Sequence, residues 1–85
     1  MAFKKNKFQY LAKFVVDLEG KRIGESISVF EDMLIIKKEE KFYAIPFKHV
    51  ELVKDEIHLK GIVQWDKAEN LARRWKNAQN GYSSK

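Results

Sequence analysis

The sequence predicts a mainly β fold, a small antiparallel β-barrel of five to six strands with one C-terminal α-helix. Two observations predict it. Between residues 10 and 61, short apolar stretches alternate at period two and are broken by turn signals about every ten residues. From residue 66 to residue 80 the apolar period becomes helical. A third bounds the size: 85 residues, of which 45% are hydrophobic and 13% aromatic, fill one core and no more. The whole chain reads as a single domain, with a basic arm over residues 1–9, the barrel over 10–63 and the helix over 66–80.

The elements follow in order. Residues 10–17, YLAKFVVD, are aromatic and β-branched and predict a strand with Tyr10, Ala12, Phe14 and Val16 on one face. LEGK follows, with Gly20 at the position that needs positive φ. Residues 22–30 alternate again, and Gly24 inside that stretch predicts a bulge or a close approach by another backbone. Glu31 and Asp32 form the next turn. Residues 33–38, MLIIKK, form a strand, 39–41 a turn, and 42–45, FYAI, a strand that ends at Pro46. Proline cannot donate to a ladder but suits the start of a short helical turn, here PFKHV. Residues 50–53 and 57–61 give the last two strands around a polar turn at 54–56.

In the helical segment Ala68, Leu71, Ala72, Trp75 and Ala78 share one face. Asp66 with Glu69 three residues later reads as a capping box, and Gly81 as the left-handed stop.

The net charge of +5 is uneven: residues 1–13 carry +4, residues 61–85 carry +3, and the middle carries −2. Basic ends attract acidic surfaces, nucleic acid among them. The chain has no cysteine, which removes disulfides and thiolate chemistry and fits a reducing compartment. No apolar run approaches the ~20 residues that span a bilayer. The expected setting is therefore cytoplasmic, away from any membrane.

The stretch Phe14-Val15-Val16, Asp17-x-x-Gly20-Lys21-x-Ile23-Gly24, then Ile45-Pro46, Val50 and Ile57-His58-Leu59, resembles the PRC-barrel family. That family includes a cytoplasmic domain of the photosynthetic reaction centre H subunit and a domain of a ribosome-maturation factor. The resemblance covers residues 11 to 61. It implies a strongly bent barrel that serves as an adaptor or assembly surface, with no shared catalytic residue or cofactor. The basic arm and the C-terminal helix lie outside it.

The residues offer little chemistry. GKRIG lacks the spacing of a phosphate loop, and threonine is absent from the chain. His49 and His58 are too few and too far apart for a metal site, which usually draws three or four ligands. Ser26 and Ser28 have no neighbouring base and suit small positions in a tight barrel. The carboxylates are scattered over turns. The expectation is therefore no enzyme, no cofactor, no metal and no small-molecule substrate.

Two surfaces carry the functional expectation. The first is the helix with its aromatic edge, Trp65, Leu71 and Trp75, as a face for a protein partner, a second copy of the chain included. The second is the pair of basic ends, Lys4, Lys5 and Lys7 with Arg73, Arg74 and Lys76, as a nucleic-acid surface with interleaved aromatics. The leading expectation is a non-catalytic adaptor of PRC-barrel type; the alternative is an RNA- or ribosome-associated module.

Overall fold

Six strands and one long helix make up the fold in the computed structural model, which describes residues 7–83 and the side chains of residues 7–79. A 3-10 turn at Lys7–Tyr10 precedes β1 (Phe14–Val16), β2 (Arg22–Phe30), β3 (Met33–Lys38) and β4 (Lys41–Pro46). A second 3-10 turn, Phe47–His49, leads to β5 (Val50–Val53), β6 (Glu56–Leu59) and the helix α1 (Trp65–Ser83). The fold is mainly β with one C-terminal helix, as the two periodicities predict. The sheet is a curled half-barrel of order β4-β3-β2-β1-β6-β5. Four of its pairings are antiparallel; β1 and β6 pair in parallel, Val15 opposite Ile57. β4 and β5, the ends of the order, are not hydrogen-bonded to each other.

The turns show why the strands stop where they do. Asp17 Oδ1 accepts the N–H groups of Glu19 and Lys21, both at 2.9 Å, and Gly20 sits at φ +84°. Gly20 therefore shapes the turn of the β1–β2 hairpin. The other three hairpins turn on two residues each: Glu31 with Asp32, Glu39 with Glu40, and Lys54 with Asp55. Glu31, Glu39, Glu40 and Lys54 adopt left-handed φ between 52° and 70°, a conformation that glycine or asparagine takes more readily.

Two expectations for the first strand are corrected. Residues 10–13 are not extended: Ala12 is left-handed at φ 60°, and β1 covers only Phe14–Val16. That break resets the alternation, so Val15 is buried in the core and Phe14 is exposed. The cause is Ser26, whose buried Oγ donates to Tyr10 O and accepts the Lys13 N–H at 3.0 Å. Ala12 N–H to Ser26 O and Ser26 N–H to Lys13 O, both 2.9 Å, complete the clamp. The helix is also corrected at both ends. It begins at Trp65, so Asp66 lies in the first turn, where its charge still favours the dipole, and it runs through Gly81 to Ser83.

The core sits in the concavity of the sheet, where Val15, Leu34, Ile36, Ile45, Ile57 and Leu59 meet. A second cluster, Met33, Ile35, Ala44 and Ala72, lies between β3–β4 and α1. Four consecutive residues of β3, 33–36, are therefore buried, two on each face. This is why MLII reads as a continuous apolar run and not as an alternation. Ala68 and Ala72 are both buried, and their small side chains let the helix approach the sheet closely.

Gly24 and Gly20 carry different constraints. A Cβ on Gly24 would lie 2.3 Å from Lys37 O, in the backbone of β3. A Cβ on Gly20 would meet nothing within 4 Å, leaving only the left-handed φ. Gly20→Ala is expected to lose about 1 kcal/mol in urea unfolding. Gly24→Ala is expected to lose about 3 kcal/mol or more, because two strands must separate. Equal losses would show that Gly24 is not pressed against β3.

Candidate nucleic-acid interface

The Ser26 clamp fixes the segment that precedes β1, and so fixes the first 3-10 turn. From that turn Lys7 reaches the β2–β3 hairpin. Its Nζ donates to Glu31 O at 3.4 Å and stands 3.9 Å from Asp32 Oδ1. Arg74 comes to the same hairpin from α1, with Nη2 at 3.0 and 2.9 Å from the two Glu31 carboxylate oxygens. The guanidinium also lies 5.7 Å from the Phe30 ring. Lys7 and Arg74, one from each basic end and far apart in sequence, thus meet at the hairpin of Glu31 and Asp32.

The linking 3-10 turn supplies the third side. Phe47 donates its backbone N–H to Asp32 O at 3.0 Å, which ties the β4–β5 link to the β2–β3 hairpin. The Phe47 ring meets Tyr10 edge to face at 5.0 Å and carries the Lys7 ammonium at 5.6 Å from its centre. Lys48 is exposed beside it. Lys7, Lys48 and Arg74 with Phe47 and Pro46 line an open groove of about 650 Å³ above the acidic turn. The cations outnumber the acids there, and an aromatic ring lies among them. That combination suits a ligand with both negative charge and a flat face.

The remaining candidates fall into separate places. Lys4 and Lys5 lie outside the described residues. Arg73 is exposed on the solvent side of α1, and Lys76 lies 5.4 Å from the centre of the Phe42 ring. Of the aromatic edge, Trp65 packs on Tyr43 at 4.9 Å and Trp75 on Phe42 at 5.4 Å, so both are used within the chain. Lys38 covers Trp65 at 4.9 Å. Leu71 packs beside the β3–β4 cluster and also lines a second groove of about 300 Å³, with Ile62, Lys60 and Lys67. Lys48 and Phe47 were missed as site residues. Their signal was the Pro46 turn, which marks a kinked segment at the surface.

His58 Nε2 stands 3.5 Å from Glu56 Oε1, and His49 uses its backbone oxygen to hold Lys60 N–H at 2.8 Å. Among the described residues no group of three or more His, Asp or Glu side chains is placed to hold a metal ion. Nor, among them, is any helix long and apolar enough to cross a membrane.

Residues 11–81 match a family described as "Family of unknown function (DUF5749)". The chain belongs to that family. The match begins just after the first 3-10 turn and includes β1 to β6 and most of α1, so sheet and helix are one family unit. No curated protein and no solved structure matches the chain.

Trp75 separates intramolecular packing from a seam between copies. Its indole Nε1 is buried with no hydrogen-bond partner among the described residues. Trp75→Ala is expected to lose about 3 kcal/mol of stability while the sedimenting mass stays that of wild type. Trp75→Phe keeps the ring and removes the orphaned donor, so its loss should stay under about 1 kcal/mol. A change in mass with stability intact would place Trp75 at a contact between chains.

Proposed function

We propose that this protein is a non-catalytic binding module that associates with RNA through the groove at Glu31 and Asp32. The observation that carries this reading is the convergence of Lys7 and Arg74, one from each basic end, on one hairpin, with Lys48 and Phe47 lining the same groove. Affinity comes from phosphates on Lys7, Lys48 and Arg74, and its expected signature is salt dependence. Arg74 is the better fork for a phosphate, and in the free protein the Glu31 carboxylate accepts from its Nη2. Glu31 is thus an internal competitor, which tempers binding of weak anions. The composition suggests a cytoplasmic setting for this role.

A second reading, a protein adaptor of the PRC-barrel type, draws on the other groove. Ile62 is 91% exposed there, beside Leu71 and between Lys60 and Lys67. An apolar segment flanked by acids would suit it. Under this reading, affinity capture recovers a protein partner that survives ribonuclease and is lost with Ile62→Ser. Recovery that depends on ribonucleic acid, or that ignores Ile62→Ser, counts against it.

Fluorescence anisotropy with a labelled RNA across a salt series tests the RNA reading. The slope of log affinity against log salt should fall by about 0.7 for Lys48→Gln. Glu31→Gln should raise affinity more than Asp32→Asn, although both remove one negative charge, because only the first frees Arg74. An affinity indifferent to salt, or equal effects of the two neutralisations, would overturn this account.

A further inference from the structure

We infer that the groove selects single-stranded over duplex nucleic acid, with one base stacked on Phe47 and its flanking phosphates held by Arg74 and Lys48. The inference rests on the RNA reading and adds the class of ligand. Phe47 is held from behind and along its backbone: Tyr10 meets its ring at an interplanar angle of 78°, and its N–H is fixed to Asp32 O. The ring is therefore a fixed platform, with little freedom left to lose when a base settles on it.

What covers the platform in the free protein is the Lys7 ammonium, on a flexible chain. Lys7 holds Asp32 only at 3.9 Å, and its side chain is 45% exposed. A π face that attracts a cation also accepts a nucleobase, and stacking is indifferent to which base it is. When the base enters, Lys7 swings off the ring toward the Asp32 carboxylate it already faces, and Lys48 takes one flanking phosphate. Arg74 exchanges Glu31 for a second phosphate. In a duplex the base faces are already stacked on one another and are not free to stack on Phe47. A duplex gains only the phosphate contacts.

The test compares three probes at one low salt concentration: a single-stranded RNA, a single-stranded DNA of the same sequence, and the RNA annealed to its complement. Both single strands should bind at least about tenfold more tightly than the duplex, the factor a single base–aromatic stack supplies. Phe47→Leu, which keeps the apolar packing, should lose that preference and leave the salt slope unchanged. Phe47→Tyr should retain it. A 2-aminopurine in the strand should be quenched on binding to wild-type protein, a readout that needs no variant to fold. Equal affinity for strand and duplex with no quenching would overturn the stacking inference while leaving the phosphate groove intact. Failure of all three probes to bind would overturn the groove reading itself.

Discussion

The three-residue link between β4 and β5 is the constraint on which the rest of the molecule depends. β4 and β5 stand at opposite ends of the sheet order. In a flat sheet, five strand intervals would separate them by about 24 Å. The link Phe47–His49 spans Pro46 to Val50, and four Cα steps reach at most about 14 Å. The sheet must therefore curl until its ends approach, and the concavity this makes is where the core collects. Curling leaves the outer face of β3 and β4 bare, and α1 covers it with Ala72, Leu71 and Trp75.

The same link also builds the groove. Its shortness holds Phe47 and Lys48 against the β2–β3 hairpin, where Phe47 N–H finds Asp32 O. Its other end is anchored by His49 O, which holds the chain just after β6. The segment that closes the sheet is thus also the one that places a ring and a cation in the groove with Lys7 and Arg74. Groove and fold share their supports. Loosening the Ser26 clamp would free the turn that carries Lys7, and loosening the helix packing would free Arg74.

Much of this architecture could be read from the residues. The two periodicities located the sheet and the helix, Pro46 marked the linking turn, and Gly24 marked a close backbone approach that the structure places against Lys37. The errors have physical causes. The sequence pattern of residues 10–17 is that of a strand, but a buried hydroxyl from β2 bends it, a tertiary contact that no local period contains. Gly81 reads as a helix stop, yet a helix tolerates one glycine for about 1 kcal/mol. The parallel β1–β6 pair was not legible, because alternation says which face a residue takes and not which strand lies beside it. The groove was half legible: Lys7 and Arg74 were singled out by charge. Phe47 and Lys48 sat in a stretch whose charges balance, and only the fold brings them to the basic ends.

The strand order has a kinetic side. β1 to β4 form a meander, and β5 with β6 a hairpin, each paired through short turns. A single ladder, β1 on β6, joins the two units, and it pairs residues 14–16 with residues 56–58. Local hairpins close within microseconds, whereas a contact so distant in sequence must first overcome the entropy of the loop it closes. The β1–β6 ladder is thus the long-range pairing that joins the meander to the hairpin. Wherever that ladder is unmade, the facing edges of β1 and β6 are both open. An open strand edge can pair with the same edge of another chain, so this ladder is the one exposed to domain exchange.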